Sequence, residues 1–399
     1  MTKQQVVTPS VVPVVLSGFC AFLSLYAPQP ILPMLAGIFH VSNVMISLMI
    51  TATTTGVALA APVIGQLADR IGRKRVIVLS ALTLGVATML TATSASLGML
   101  LFWRFMQGIA TPGVFSVTTA YVHDEWPPHS AASAISAYVT GTIVGGFSGR
   151  ATVGFVAERW GWQWAFVLLG CICLAIAGYI AIFLPLESKF ARPALPPRIV
   201  DSIAGHLHNP QLRSAYTIGF CVLFTQVAMF TYVTFHLAAP PFLLSPGVLG
   251  SIFVVYLAGA TVTPFAGRRI EKRGHPRMLI FSAILAAAGA VLTLGPQLWM
   301  VIAGLAVCCS GVFIAQASAT SFVGTAAKHN RALALGLYVT FYYTGGSFGG
   351  ITPGWLWATF GWAGCVALVV LVQVAIAGVA RGMTVAEQPD LLTSSNPRP

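Results

Sequence analysis

Long apolar runs alternate with short polar connections along nearly the whole chain. An apolar run of roughly 20 residues can cross the hydrocarbon layer of a bilayer as an α-helix. The longest polar interruption, residues 186–213, is a predicted linker between an N-terminal six-helix bundle, residues 1–185, and a C-terminal six-helix bundle with a short tail, residues 214–399. The predicted fold class is all-α and integral to the membrane. The pattern predicts twelve transmembrane helices, over residues 11–35, 44–68, 76–95, 97–122, 133–157, 163–185, 214–237, 247–267, 278–295, 297–323, 333–357 and 362–381.

Composition supports the membrane assignment. The 399 residues are 57% hydrophobic and 8% charged, with a mean hydropathy of +0.84, whereas soluble domains are about 25% charged. The first apolar run, which starts at Val11, is about 24 residues long. This exceeds the apolar part of a signal peptide and predicts a first span. The seven cysteines lie in apolar segments, where we expect small hydrophobic side chains rather than disulfides or metal ligands.

The basic residues are distributed unequally between the two sides of the predicted spans. The net charge is +12, from 21 Lys and Arg residues against 9 Asp and Glu residues. If the N-terminus is cytoplasmic, 18 of the 21 lie in cytoplasmic segments, Arg159 lies on the opposite side, and Arg104 and Arg150 lie within spans. This bias follows the positive-inside rule. It predicts that both termini and the linker are cytoplasmic. The predicted location is the cell inner (plasma) membrane. Because the basic residues follow the membrane topology, nucleic acid is not a predicted partner.

Two stretches 200 positions apart repeat each other. Residues 137–162 read AYVTGTIVGGFSGRATVGFVAERWGW, and residues 337–362 read LYVTFYYTGGSFGGITPGWLWATFGW. The repeat predicts two similar bundles around a central path. Where the second copy has Gly350, the first has Arg150. This arginine is therefore a modification of one copy rather than a property of the scaffold.

A charged loop after the second predicted helix also recurs. It reads GQLADRIGRK from Gly65, and a related pattern, GRRIEKRG from Gly267, follows the eighth helix; Phe19 and Phe220 fall in a similar register. Together, loop and repeat resemble the major facilitator superfamily over nearly the whole chain, and more narrowly its twelve-helix drug/proton antiporter branch. The resemblance implies that the loop latches the two bundles together on the cytoplasmic side. The latch residues that it implies are Gly65, Asp69, Arg70, Gly72, Arg73 and Glu271.

Two motifs within the spans extend the resemblance. The stretch RFMQG from Arg104 matches a motif whose arginine is implicated in proton coupling in that branch. An arginine inside the bilayer costs at least ~2.5 kcal/mol and needs partners, so backbone carbonyls and Gln107 are the structural alternative. The stretch GGFSGR, which ends at Arg150, departs from the branch motif GPxxGG at two positions. This GGxxGR pattern is similar to that of the YnfM-like inner-membrane efflux proteins.

Charge inside the membrane is predicted to be positive. Arg104 and Arg150 lie about seven residues from the external ends of consecutive helices, hence ~10 Å below the outer face, and form a candidate cationic site. All nine acids fall in loops, tails or helix ends. Antiporters of the branch often carry an acid on the first helix, where this chain has Tyr26. The resemblance therefore leaves proton coupling open.

The candidate substrate-binding residues are polar or aromatic side chains on helices that line the path in the family. For each of them, burial at a helix interface is an equal alternative to substrate contact. The pair His206 and His208 is too small a set for a metal site, and the absence of a GxxxxGK[ST] loop argues against ATP, so no cofactor is predicted. The candidates are Tyr26, Gln29, Arg104, Gln107, Arg150, Gln226, Tyr232, Gln316, Tyr338 and Tyr342.

The leading hypothesis is a monomeric secondary transporter that exports a small organic compound across the lipid bilayer, with protons as a further candidate partner. The first alternative is uptake or exchange of an anionic metabolite bound by Arg104 and Arg150. The second is a membrane receptor that does not transport. An enzyme is not predicted, because no nucleophile, base or metal cluster occurs at membrane depth.

Overall fold

The computed structural model describes residues 10–187, 199–327 and 331–383. A short 3-10 helix, Gln29–Ile31, stands between α1 and α2. The side chain of Glu271 lies outside the described part. The α-helices are α1 (Val12–Leu25), α2 (Leu32–Ile38), α3 (Asn43–Ile71), α4 (Arg73–Thr91), α5 (Leu97–Glu125), α6 (Pro128–Trp160), α7 (Trp162–Phe183), α8 (Ile199–His208), α9 (Pro210–Ala238), α10 (Pro246–Ile252), α11 (Val255–Arg273), α12 (His275–Leu292), α13 (Leu298–Ala326) and α14 (Arg331–Met383).

The all-α fold with twelve spans is confirmed. Nine helical stretches of the described residues are long and apolar enough to cross a membrane. One of these, Leu333–Met383, contains two spans, because the helix breaks at Gly361 (φ 59°, ψ −143°). The helices α5 and α6 add two more, since their 29 and 33 residues exceed the length that a bilayer requires.

Consecutive spans alternate between two faces of the molecule. The start of α1 and the end of α14 lie at one face, here named the terminal face, together with the α3–α4 turn and the end of α7. A hydrogen bond from the Lys74 backbone nitrogen to Glu187 Oε2 at 3.3 Å joins that turn to the residues after α7. The opposite face, here named the distal face, carries the α2–α3, α6–α7 and α9–α10 connections.

The first span is broken, whereas the sequence pattern predicts one continuous helix. Helix α1 ends at Leu25, because Pro28 has no N–H with which to continue the hydrogen-bond ladder at the Ser24 carbonyl. The Gln29 nitrogen donates instead to the Tyr26 carbonyl at 3.2 Å, in 3-10 geometry. The eighth span is likewise divided, into α10 and α11. The break in the first span releases backbone carbonyls in the middle of the bundle.

The sequence repeat is also a backbone repeat. Gly72 and Gly274 join α3 to α4 and α11 to α12 with φ of 101° and 79°, and Gly161 and Gly361 have φ of 95° and 59° at matching ends of the long repeat. Glycine adopts positive φ without the steric cost that other residues bear. The same sharp turns therefore occur at the same places in both halves.

The pairing of α6 with α1 recurs as the pairing of α14 with α9. A Cβ at Gly145 would overlap the carbonyl oxygen of Phe19, and a Cβ at Gly345 would overlap that of Phe220. Small residues let two helix backbones approach this closely. The register of Phe19 with Phe220 that the sequence predicts is confirmed.

The two halves meet on one side through α3 and α14. Thr51 Oγ1 donates to the Ser347 carbonyl at 3.1 Å, while Thr54 Oγ1 and Thr55 Oγ1 each lie 3.0 Å from Ser347 Oγ. A Cβ at Gly350, the counterpart of Arg150, would overlap Thr51 Oγ1. This seam is built from small hydroxyl-bearing and glycine residues in close contact.

On the other side, α6 meets α10 at the distal face. The Glu158 carboxylate accepts hydrogen bonds from Ser245 Oγ at 2.9 Å and from the Gly247 nitrogen at 2.8 Å. A carboxylate of the first half thus caps the positive N-terminal end of a helix of the second half. Both seams lie toward the distal face.

We expect the terminal face to be cytoplasmic, because it carries most of the basic residues of the described segments. A reporter fused after Arg159, at the distal face, and one inserted within residues 186–213 should then report opposite sides of the membrane. Alkaline phosphatase should be active only at the first position and green fluorescent protein fluorescent only at the second. The same side for both reporters would contradict this topology.

Candidate functional site

Arg104 of α5 is completely buried and is surrounded by acceptors from its own half. Its Nη1 donates to the Ser24 carbonyl at 2.9 Å and to Gln107 Oε1, and its Nη2 donates to the Leu25 carbonyl. Its Nε donates to the Met49 carbonyl at 3.3 Å. The Ser24 and Leu25 carbonyls lie at the break after α1. The structural alternative, with carbonyls and Gln107 as partners, therefore describes Arg104, and its role in substrate binding stays a prediction.

Arg150 of α6 is 2% exposed and lies between the two halves. Its Nε donates to Gln29 Oε1 at 2.7 Å, and its Nη1 donates to the Gly146 carbonyl at 2.6 Å. A desolvated cation–π contact contributes about 2 kcal/mol. Three rings, here named the aromatic clasp, have centroids 5.1, 4.7 and 4.8 Å from its Cζ, and they belong to Tyr26, Phe253 and Tyr256.

The clasp joins the halves of the chain. Tyr26 follows α1, whereas Phe253 and Tyr256 lie where α10 gives way to α11. Gln29, the hydrogen-bond partner of Arg150, also donates from Nε2 to Thr231 Oγ1 of α9 at 3.1 Å. Both buried arginines therefore contact the segment 24–29.

Carboxylates are confined to the ends of the helices in the part of the chain that the structure describes. Asp69, Asp124, Glu125, Glu158 and Glu187 lie at or beside the terminal or distal face. The same residues contain no group of three side chains suited to hold a metal ion. The electrostatic character of the central region is thus set by two arginines.

Further aromatic rings from both halves pack against one another near the clasp. The ring centroids of Phe115, in the first half, and Tyr343, in the second, are 5.9 Å apart, and those of Tyr342 and Tyr343 are 5.4 Å apart. Phe230 of α9 lies 4.6 Å from Tyr256. Edge and offset contacts of this kind suit the binding of flat apolar groups.

The remaining candidates are in different environments. Gln226 and Gln316 are half-buried on α9 and α13. Tyr232 donates from its hydroxyl to the Gly350 carbonyl at 3.0 Å, at the contact of α9 with α14. Gln107 Nε2 donates to Thr91 Oγ1 at 2.8 Å, which places this amide between α4 and α5.

Tyr338 is buried, and its ring is stacked on Tyr342 at 5.9 Å. The buried Tyr338 hydroxyl lies close to the side chain of Thr320 on α13. Substrate contact by Tyr338 and Tyr342 stays a prediction.

Three residues of the site were missed by sequence reasoning: Thr231, Phe253 and Tyr256. All three lie in the second half and reach the first-half pair of Gln29 and Arg150. The available signal was indirect, since a buried arginine without an acid needs partners, and aromatic rings are a known class of such partners.

The predicted latch loop makes contacts within the first half. Arg73 forms an ion pair with Asp124 and lies 3.7 Å from Asp69 Oδ1. Gly72 provides the positive-φ turn, whereas Gly65 and Arg70 are exposed. The latching role of the loop, including that of Glu271, stays a prediction.

Comparison with known proteins gives consistent matches. The family model described as Major Facilitator Superfamily matches residues 14–254 and 219–395. The chain is similar to the MFS-type transporter YybF of Bacillus subtilis (strain 168), with 34% identity over 354 residues that cover 88% of each chain. It is also similar to the inner membrane transport protein YnfM of Escherichia coli (strain K12), with 31% identity over 360 residues, 90% of this chain and 86% of that one.

A solved structure has a similar fold. A crystal structure of a variant of the nucleoside transporter NupG superposes with a TM-score of 0.75 and covers 94% of this chain and 99% of that one. The sequence identity is 12%, so the likeness concerns the fold alone.

Proposed function

Because this chain belongs to the major facilitator superfamily and is a multi-pass membrane transporter, we propose that it works by alternating access and exports a small organic compound across the plasma membrane. The observation that carries alternating access is the position of the seams between the halves. Both lie toward the distal face, at the Glu158–Gly247 contact and the Thr51–Ser347 contact. Toward the terminal face, α3 instead carries the exposed side chains Leu59 and Val63.

This arrangement supports a cavity that is open toward the terminal face and closed toward the distal face. With the terminal face in the cytoplasm, an exporter in this state would take its substrate from the cell. Export is supported by the resemblance of the loop and span motifs to the drug/proton antiporter branch. Uptake or exchange of an anionic metabolite is the second candidate, and the two buried arginines favour it.

The test of transport uses a reversible cross-link across the seam between α6 and α10. Proteoliposomes are loaded with a cell extract, and mass spectrometry identifies the compounds that leave them. The variant Glu158→Cys/Ser245→Cys, in a Cys171→Ser background that removes an exposed thiol, is joined by a short cleavable cross-linker. We expect efflux of one or a few compounds to stop on cross-linking and to return on cleavage.

Efflux that is identical before and after cross-linking would contradict alternating access through this seam. Binding without any protein-dependent flux would instead favour a receptor. Comparing vesicles with the protein in either orientation distinguishes export from uptake.

The latch loop gives a further prediction. Asp69→Asn should lower the transport rate several-fold, because the loop can no longer hold the terminal face closed during the cycle. Its effect on unfolding should be small, since the Asp69–Arg73 pair is long and half-exposed, and exposed ion pairs contribute roughly 0–1 kcal/mol. Transport and thermal unfolding are measured on the same preparation.

The matched control is Asp124→Asn, which neutralises the other carboxylate that pairs with Arg73. A latch that depends on Asp69 predicts a larger loss of transport for Asp69→Asn than for Asp124→Asn. Equal rates for Asp69→Asn and the wild-type protein would leave the loop as a turn only. We expect smaller effects from Glu271→Gln in the second, more basic copy.

A further inference from the structure

Arg150 is held differently from Arg104, although both are buried arginines of the first half. We infer that Arg150 binds the negative charge of an organic anion, and that this anion displaces the aromatic clasp and thereby loosens the distal side of the transporter. The inference rests on the transport function proposed above and adds the substrate class to it.

The hydrogen bonds of the two guanidinium groups decide which arginine can bind a ligand. All three nitrogens of Arg104 donate to protein acceptors. Arg150 donates from Nε and Nη1, while its Nη2 makes no hydrogen bond within the described part of the chain. A guanidinium has five N–H donors. Arg150 therefore retains donors for an incoming acceptor.

The clasp is a replaceable partner. Ring faces attract a cation but do not satisfy its N–H donors, which lie in the plane of the guanidinium. A carboxylate satisfies two donors at once and also neutralises the charge. A carboxylate that reaches Arg150 therefore binds its guanidinium more strongly than the Tyr26, Phe253 and Tyr256 rings do.

The charge of the central region selects the sign of the ligand. Away from the helix ends, the described spans contain Arg104 and Arg150 and no carboxylate. A cationic compound would add a third positive charge at low dielectric constant, whereas an anion compensates one of the two. The rings next to the clasp, among them Phe230 and Tyr342, suit a flat apolar body. The favoured class is an aromatic carboxylate.

Binding at Arg150 is linked to closure because the clasp crosses the halves. Arg150 contacts Phe253 and Tyr256 of the second half, and its partner Gln29 contacts Thr231. When the guanidinium of Arg150 moves onto an anion, it loses the cation–π contacts that hold α6 against α10 and α11. The other seam has glycine at the matching position and no charged group to displace. The anion thus loosens one seam and leaves the other in place.

The experiment measures the distance between the two sides of the loosened seam. Spin labels replace two exposed distal residues, Trp160 at the end of α6 and Val248 on α10, in the Cys171→Ser background. The probes are benzoate, its neutral analogue benzamide, and the cation benzyltrimethylammonium. We expect benzoate to raise the long-distance population several-fold in the purified full-length protein. The other two probes should leave the distance distribution unchanged.

Variants separate the ligand role of Arg150 from its role in the seam. Arg150→Gln should increase the long-distance population without any probe and abolish the response to benzoate. Arg150→Lys should keep a weaker response, because an ammonium binds a carboxylate without the bidentate geometry. Tyr256→Leu should also open the seam without a probe but keep the response to benzoate, and Tyr256→Phe, which retains the ring, should open it less than Tyr256→Leu.

A benzoate response in folded Arg150→Gln that equals the wild-type response would overturn the inference, as would equal responses to benzoate and benzyltrimethylammonium. The outcome for export is read separately, from vesicle efflux. A benzoate response without flux of any compound would remove the export proposal and keep the anion site. Flux of neutral or cationic compounds without a benzoate response would keep the transport proposal and remove the anion site.

Discussion

Replacing Arg104 by methionine should destabilise the protein by roughly 2–6 kcal/mol, because two buried acceptors lose their partners at about 1–3 kcal/mol each. The Leu25 carbonyl accepts from Arg104 at the break after α1, where Pro28 prevents the regular helical ladder. Gln107 Oε1 is the second acceptor. Loss of the Arg104 hydrogen bonds costs less at the Ser24 and Met49 carbonyls, because each of them also accepts a hydrogen bond from another donor.

The measurement is denaturant or thermal unfolding of the purified variants in one detergent. Arg159→Met is the matched control, because Arg159 is an exposed arginine at the distal face, and surface changes are usually within about 0.5 kcal/mol. Arg104→Lys should show an intermediate loss, since one ammonium can reach only part of the acceptor set. Stability of Arg104→Met equal to that of the control would mean that the broken span does not depend on this side chain.

Arg104 also illustrates which part of the site could be predicted from the sequence. The need for partners follows from the cost of an arginine in the bilayer, and Gln107 is one turn away on the same helix. The acceptors from residues 24 and 25 depend on the break in the first span and on the packing of α1 against α5. The sequence pattern predicts one continuous helix there, and the pairing with an arginine about 80 positions later is a tertiary contact.

Arg150 was predictable as an anomaly but not as a contact. Comparison of the two copies identified it, since its counterpart is Gly350. Its partners Phe253 and Tyr256 are about 100 residues away in the other half. Which side of each helix faces the central path depends on helix rotation, and a single sequence of mostly apolar spans leaves that rotation undetermined.

The internal repeat and the turns that separate most spans, by contrast, were accessible from the sequence. Glycines that allow positive φ stand at matching turns of both halves, as at Gly161 and Gly361. Charged loops mark the terminal face, and the periodic glycines of α6 mark a face for close packing. These signals depend on a few neighbouring residues, so the sequence alone is sufficient to identify them.

The close packing of α6 on α1 gives the second large expected effect. Gly149→Ala should destabilise the protein by about 1–3 kcal/mol or more, because a Cβ there would overlap the Leu23 carbonyl oxygen. The obstacle is backbone, which cannot rotate away as a side chain can. Gly349→Ala should cause a similar loss, since its Cβ would lie 2.5 Å from the Phe224 carbonyl oxygen. Thermal unfolding and the yield of monodisperse protein measure both effects.

Gly178→Ala and Gly378→Ala are the matched controls for these substitutions. Each is a helical glycine with no neighbouring heavy atom within 4 Å of the added Cβ. Alanine at such a position should be neutral or stabilise the helix by up to ~1 kcal/mol, because it reduces the freedom of the unfolded chain. If Gly149→Ala and Gly349→Ala behaved like these controls, the close contact of α6 with α1 and of α14 with α9 would be wrong. If only one of the pair were destabilising, the two bundles would share their sequence pattern without sharing the packing that it predicts.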